Sequence, residues 1–277
     1  MSLTVEPVTP TLGATITGAD LGAPTDDDID GLLAAVLDHK VVFVPDQHLT
    51  PEAHLALARH LGEIDVAPFG PKHPDHPEMT VLDQVAPRGQ GADAWHTDNT
   101  YVPCPPSYTV LQAVQLPELG GDTCFADMEA AYDALSPTIR QLLVGLTATH
   151  DLTRTLQRAI ADGNSDADLA AMQRAWPPVH HPVVRVHPVS GRRSLFVNGN
   201  FTTHIDGLTE AENRALLPML LQHVGSPLFQ CRHRWTPGTL TIWDNRCVQH
   251  FAVPDYEYRR VMHRLTVAGD EPRGVNG

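Results

Sequence analysis

Trp243-Asp-Asn-Arg-Cys-Val-Gln-His250, followed by Arg260-Val-Met-His-Arg264, is the stretch on which the reading of this chain turns. In an extended strand alternate side chains share a face, so Arg260, Met262 and Arg264 point one way and Val261, His263 and Leu265 the other. The flanking residues are apolar enough for a central strand. Two cations on the inner face of such a strand are costly unless an anion waits opposite them. The competing reading is an edge strand carrying two surface arginines. His263, on the other face, is expected to be a packed core residue.

Working outward, the pattern is one of short strands interrupted by a few helices. Residues 1–20 alternate apolar and polar positions and predict two short strands. Ile29, Leu32, Leu33, Val36 and Leu37 form an apolar stripe at helical spacing, and Val41–Val44 reads as a buried strand. Thr50-Pro51-Glu52 starts a helix that Gly62 closes, Ser136-Pro137 starts another, and Thr209 with Glu212 predicts a capping box for a helix ending at Gly225. Pro218 within that last helix predicts a kink. Further strands are expected over 79–85, 108–116, 182–187, 194–198, 228–235, 239–243 and 261–268. Residues 65–78 read as a proline- and histidine-rich loop bordering a pocket. Residues 151–178 read as a partly helical insertion, either a lid or a passive surface excursion. Absence of regular βαβ alternation argues against a doubly wound sheet. The expected fold is mainly β with flanking helices, a jelly roll forming one catalytic domain over 1–277.

The chain has 277 residues, a net charge of −14 and 42% hydrophobic residues. That acidity argues against nucleic-acid or anionic-membrane partners. Cys104, Cys124, Cys231 and Cys247 show no CxxC spacing and are expected to be reduced thiols. No basic start with an apolar run opens the chain, and no window approaches the ~20 apolar residues of a membrane helix. A soluble cytoplasmic protein is expected.

Three His-x-Asp tripeptides occur: His73-Pro-Asp75, His96-Thr-Asp98 and His204-Ile-Asp206. His73 lies in the proline-rich loop and His204 leads into a helix, both expected at the surface. Trp95, Thr97 and Tyr101 favour extended structure around His96, where i and i+2 side chains grip one ion together. His250 is the candidate third ligand. Two histidines and one carboxylate form a facial triad with open positions for a bidentate oxo-acid and dioxygen, and the arginine face beside it favours iron over zinc. His180, His181 and His187 are expected to be structural. Asp244-Asn245 is either a turn or an orienter of the ligand set.

These residues resemble the taurine and 2,4-D dioxygenase family of iron(II), 2-oxoglutarate-dependent oxygenases. The match runs through Gly13–Leu21, His39–Phe43, Trp95-His-Thr-Asp98, Gly120-Gly-Asp-Thr123, His181–Val184, Leu195–Asn198 and Trp243–Asn245. The resemblance implies a double-stranded β-helix, and iron(II) held by His96, Asp98 and His250. It further implies that Thr123 and Arg260 hold the distal carboxylate of 2-oxoglutarate, and that Arg264 faces an acidic group of the substrate. The implied reaction consumes O2 and hydroxylates a C–H bond of a small anionic substrate such as an alkyl sulfate, sulfonate or aryloxyalkanoate, sometimes with fragmentation. A dimer or tetramer is the implied assembly. Where taurine-binding members carry polar groups, this chain has Ala67, Gly70 and Ala92, so Phe69 and Phe201 are expected to line a roomier pocket. The alternatives are a metal-dependent hydrolase or lyase, or a non-catalytic acid-binding protein, on the same barrel.

Overall fold

The computed structural model describes residues 3–66, 70–85, 92–161, 163 and 165–276. Strands β1 (Thr4–Pro7) and β2 (Ala14–Thr17) open the chain as an antiparallel pair. Helix α1 (Asp26–His39) follows, started by a capping box between Thr25 and Asp28 with three aspartates in its first turn. Its stripe of Ile29, Leu32, Ala35 and Val36 is buried, each of the larger side chains contributing about 1.5–3 kcal/mol of apolar burial. Lys40, at a φ of 67°, stops the helix, and the chain enters β3 (Val41–Val44), buried throughout. Helix α2 (Pro51–Leu61), capped by Thr50 with proline in its first turn, leads into the short β4 (Ile64–Asp65) and then β5 (Thr80–Gln84).

The middle of the chain holds β6 (Tyr108–Gln115), β7 (Thr123–Asp127), α3 (Met128–Asp133), α4 (Pro137–Leu143) and β8 (Thr147–His150). Two helices without buried residues occupy the predicted insertion: α5 (Thr153–Ala161) and α6 (Leu169–Ala175). After them come β9 (Val179–Pro182), β10 (Val184–Val186), β11 (Arg193–Leu195), β12 (Thr202–Ile205) and α7 (Glu210–Val224), which carries the expected Thr209–Glu212 capping box. A 3-10 turn (Pro227–Phe229) then precedes β13 (Gln230–His233), β14 (Leu240–Asp244), β15 (Val248–Ala252) and β16 (Arg260–Val267).

The main sheet runs β1-β2-β3-β14-β6-β16-β4, with β5 also pairing β16; β13-β7-β15 form a smaller sheet. Val41, Phe43, Leu111, Trp243 and Met262 from the main sheet pack on Phe125, Cys231 and Val248 from the smaller one, the core between the two. The main sheet's outer face is covered by α1 and α2, through Leu32, Val36, Leu55 and Ala58. A separate core gathers α3, α7 and β8–β12, with Tyr132, Leu195, Leu217 and Leu220. Helices and many short antiparallel strands therefore mix as the sequence reading requires. β16 is central, flanked by β6 on one side and by β4 and β5 on the other, so the edge-strand reading of its arginines fails.

Several sequence expectations need correction: the strand expected over 194–198 ends at Leu195, where its pairing with β10 stops. The strand expected over 182–187 is broken, because Pro182 has no amide hydrogen with which to extend its pairing with β8; the chain changes sheets and restarts at Val184. The strand expected over 228–235 begins only at Gln230, after the proline-led 3-10 turn. His263 is half-buried instead of packed in a core, its ring meeting the edge of His73 at a centroid distance of 5.5 Å.

Candidate metal centre

His96 and His250 come from distant parts of the chain and are joined by an isolated antiparallel bridge. The His96 amide donates to the His250 carbonyl at 3.1 Å, and the His250 amide donates back at 2.8 Å. This bridge, not a strand, orients His96. Asp98 lies in the turn that follows, where Asn99 adopts a φ of 51°, so the expectation of extended structure through His96–Asp98 is not met. Thr97 anchors the turn by donating its hydroxyl to the Val248 carbonyl.

The three side chains converge. His96 Nε2 lies 4.0 Å and His250 Nε2 3.9 Å from Asp98 Oδ1, and the two rings are 4.1 Å apart between centroids. His96 Nδ1 faces the Ala94 carbonyl at 2.8 Å; as the donor there, it leaves Nε2 with its lone pair toward the cluster. Burial pushes both imidazoles down, His250 to about 3, so both are neutral donors at ordinary pH. Burial pushes the Asp98 carboxyl up, but Arg264 and the two imidazoles outweigh it and hold it at about 2. Two neutral nitrogens and one ionised oxygen on one side of a small space suit a divalent ion with open positions.

Asp98 is fixed by a buried relay. Its Oδ2 accepts from the Thr109 hydroxyl at 2.7 Å, and Thr109 accepts from Asn245 Nδ2 at 2.8 Å. Asn245 Oδ1 accepts in turn from Trp243 Nε1 at 3.0 Å. Asp244-Asn245 is thus both the turn between β14 and β15 and an orienter, acting on Asp98 and not on His250.

Arg260 and Arg264 enter the same cavity, of about 230 Å³, which His96, Asp98, His250 and Phe201 also line. Arg264 Nη1 donates to Asp98 Oδ1 at 3.3 Å. Arg260 is 4% exposed and its Nε has no protein acceptor. Its guanidinium lies 5.7 Å from the Trp235 ring and 5.9 Å from that of Tyr256. Gly121, at a φ of 75°, lets the backbone approach: a Cβ there would stand 3.2 Å from Arg260 Cδ. Thr123, on the same wall, accepts from Trp235 Nε1 at 3.0 Å. A buried cation framed by two aromatic rings and a hydroxyl, with a donor unspent, fits a ligand carboxylate.

Phe201 is buried beside Tyr101, 5.2 Å between ring centroids. Phe69 and Ala67 lie outside the described residues. Of the remaining tripeptides, His204 is exposed and shares Asp206 with His180, and His73 packs on His76 and His263. A second cluster, His187, Asp244 and Cys247, also has ligand-like spacing. Its His187 Nδ1 accepts from the amides of Val189 and Ser190, so Nε2 carries the proton and donates to Asp244, which Arg246 already grips. That cluster is a closed hydrogen-bond network that offers neither a free imidazole lone pair nor a thiolate, burial keeping the Cys247 thiol protonated. Wider surface clefts exist, such as one of about 490 Å³ beside α4, which holds the pairs Arg140–Asp133 and Arg192–Glu129; among the described residues no metal-ligating cluster lies in it.

Sequence reasoning missed Thr109, Trp235, Tyr256 and Thr155 of α5, which lines the cavity from the insertion. Only the paired glycines 120 and 121 hinted that backbone must pass close to the arginine.

Residues 4–266 match the profile of the Taurine catabolism dioxygenase TauD, TfdA family. The alpha-ketoglutarate-dependent sulfate ester dioxygenase of Pseudomonas putida is 36% identical, over 100% of this chain and 93% of that protein. The (S)-phenoxypropionate/alpha-ketoglutarate-dioxygenase of Sphingobium herbicidovorans is 35% identical, over 96% and 95% respectively. The crystal structure of a taurine dioxygenase from Burkholderia xenovorans superposes with a TM-score of 0.86 at 33% identity, covering 100% of this chain and 93% of that one. With a ligand cluster and a carboxylate cradle of the kind this chemistry needs, the chain belongs to the TauD/TfdA family of iron(II)- and 2-oxoglutarate-dependent dioxygenases.

Proposed function

We propose that this enzyme hydroxylates a C–H bond of a small organic acid with an apolar body, and that His96, Asp98 and His250 are its iron ligands. The observation that carries the reading is Arg260: a buried cation with an unspent Nε, in one cavity with the ligand cluster. A hydrolase or lyase has no use for that cation, and a passive scaffold has no use for three buried convergent donors. Thr123 and Arg260 hold the distal carboxylate of 2-oxoglutarate, the guanidinium by charge-assisted hydrogen bonds. Arg264, at the same cavity, binds the anionic group of the substrate.

When bound, iron with 2-oxoglutarate and O2 supplies the oxidant for the C–H bond, the cosubstrate ending as succinate and carbon dioxide. The protein's part is placement. Asn245 and Thr109 keep Asp98 turned toward the two imidazoles, while Arg264 fixes the substrate headgroup and so the distance of its carbons from the metal. Phe201, Leu82 and Leu111 give the substrate body an apolar wall that excludes water.

Sulfate esters and phenoxypropionate, the substrates named for two relatives, share one negative charge and an apolar body. Ala92 on the cavity wall offers no side-chain polar group to a second substrate terminus such as taurine's amine. We infer one catalytic domain built on a double-stranded β-helix, the two facing sheets being its halves. We also infer that 151–178 is a lid. Thr155 donates to the Asn200 carbonyl, Arg154 to the Thr202 carbonyl, and Arg158 pairs with Asp93, strapping α5 across the cavity mouth without burying it.

Anaerobic titration of the metal-free protein with ferrous iron and then 2-oxoglutarate tests the assignment. A visible charge-transfer band is expected in the wild type, weakened in Arg260→Ala and absent in His250→Ala. Iron binding without the band would overturn it. A panel of alkyl sulfates, sulfonates and aryloxyalkanoates tests the substrate class, which robust turnover of taurine alone would exclude.

A further inference from the structure

Behind the turn that carries Asp98 lies a buried polar cluster for which the chemistry so far has no use. Thr100, two residues past Asp98, is fully buried, and its hydroxyl meets Asn198 Nδ2 at 2.8 Å and His150 Nδ1 at 2.9 Å. His181 Nε2 donates to two carbonyls of the same turn, that of Thr100 at 2.9 Å and that of Val102 at 3.1 Å. His150 Nε2 pairs with the Thr202 hydroxyl at 3.2 Å, and that hydroxyl accepts from the Asn198 amide at 2.9 Å. Burial pushes both imidazoles down, His181 to about 4, so the cluster is neutral at ordinary pH.

Three parts of the molecule meet at this cluster. The first is the turn itself, in which Asn99, at a φ of 51°, holds an uncommon backbone conformation that its surroundings must fix. The second is the loop over 198–202. Asn198 Oδ1 accepts from the Asn200 and Phe201 amides at 3.1 and 2.9 Å, and so shapes a loop whose Asn200 and Phe201 line the cavity. The third is α5. Asp151, at its root, follows His150 and donates its amide to the Phe201 carbonyl at 2.8 Å, while Arg154 and Thr155 rest on the Thr202 and Asn200 carbonyls. The ligand turn and the seat of α5 are therefore held by the same two side chains, Asn198 and His150. Apolar packing would bury such a junction equally well but would let its parts slide. Directional bonds to one hydroxyl fix their separation, and cutting one leaves a buried polar group without its partner.

We propose that Thr100 and Asn198 are positioning residues: their hydrogen bond locks the ligand turn to the cavity wall and to the seat of α5, so that metal loading and docking of α5 favour each other. This rests on the reading of His96, Asp98 and His250 as iron ligands and of α5 as part of a lid. Thr100 acts through the turn that places Asp98, and Asn198 through the loop on which α5 sits. Linkage between two sites is reciprocal, so a fixed ligand turn steadies α5 and a loosened α5 weakens the metal site. An enzyme joined in this way completes the wall and cover of its substrate cavity only once its metal is in place.

Amide hydrogen exchange of the full chain, metal-free and then loaded anaerobically with ferrous iron alone, tests the link. No residue of α5 is buried, so exchange of its amides reports docking. Iron should slow exchange across Thr153–Ala161 about tenfold in the wild type, an ordinary size for coupling between sites. Thr100→Val keeps the shape of the side chain and removes the hydroxyl; at saturating iron the slowing should fall below about twofold, and Thr100→Ser should restore it. Arg154→Met cuts α5 from the Thr202 carbonyl and touches no ligand. It should weaken iron binding by up to about tenfold in a chelator competition, with no further effect in the Thr100→Val background. A Thr100→Val protein that loses thermal stability while iron slows α5 as in the wild type would make the cluster a packing device and overturn the proposal. So would bound iron that leaves α5 exchange unchanged in the wild type. If Thr100→Val fails to fold, unchanged iron affinity in Arg154→Met overturns the proposal on its own. Unchanged iron affinity in His250→Ala would instead overturn the ligand assignment.

Discussion

Thr109 is where the candidate metal centre meets the main sheet, and replacing it by valine separates the two contributions. The residue is fully buried, and its hydroxyl donates to Asp98 and accepts from Asn245. Valine fills nearly the same space, so no cavity forms, but the hydroxyl is gone. Asn245 Nδ2 is then a buried donor without its acceptor, and Asp98 loses its shortest hydrogen bond. Each such orphaned group costs about 1–3 kcal/mol. Taking about 3 kcal/mol for the pair, Tm should fall by roughly 6–12 °C in a chain of this size. Loss of a partner that orients a ligand should also weaken metal binding about 10–100-fold. Thermal unfolding of the metal-free protein reads the first effect, and anaerobic competition for iron against a chromogenic chelator reads the second. Thr109→Ser should restore both. If iron affinity stays within twofold of wild type while Tm falls, the relay is a packing device and its assigned role in orienting Asp98 is wrong.

Gly121→Ala should push a methyl group against Arg260 and Tyr256. The KM for 2-oxoglutarate is expected to rise about 100-fold, as for other misplaced binding groups, with iron affinity unchanged in the chelator assay. Arg246→Met removes the guanidinium from the buried Asp244 carboxylate and leaves it only His187 and the residue-246 backbone amide; breaking a buried pair costs about 3–5 kcal/mol, which chemical denaturation should read as a matching loss of stability. Stability should also fall on mild acidification. Burial lowers His54 to about 3 and His181 to about 4, from 6.5. Above pH 6.5 both are neutral whether folded or unfolded; below it the unfolded chain takes up protons that the folded chain refuses, until pH reaches the folded values. From pH 6.5 to 5.5 each group therefore removes about 1 kcal/mol. Denaturation curves at the two pH values should differ by about that much less in His54→Leu, and an unchanged difference would refute the assignment.

The parts of this fold that a periodic pattern or a capping residue specifies were legible in the sequence: α1 by its apolar stripe, α2 and α7 with their Thr50 and Thr209 caps, and the buried strands β3, β6 and β14. The facial spacing of Arg260 and Arg264 on β16 was legible for the same reason, since a period of two needs no tertiary information. β7, β8, β12 and β15 were not predicted, because each is a run of four or five residues whose pairing is settled by a partner far along the chain. The His96–Asp98 geometry failed for a related reason. A strand and a bridged turn both bring i and i+2 together, and only the contact with His250 distinguishes them. Trp235 and Tyr256 carry no local mark of their task, which exists only once Arg260 lies between them.

The reciprocal amide bonds between His96 and His250 have a consequence for biosynthesis. His96 and Asp98, two of the proposed ligands, leave the ribosome long before His250, and the backbone position of His96 is set only when β15 arrives to bridge it. A nascent or truncated chain ending before His250 therefore carries an unassembled half-site that cannot hold ferrous iron in the native manner. With His96, Asp98 and His250 as the proposed ligands, metal capture waits for β15 to bridge His96, and exchange protection at those two amides marks the moment at which the site is assembled.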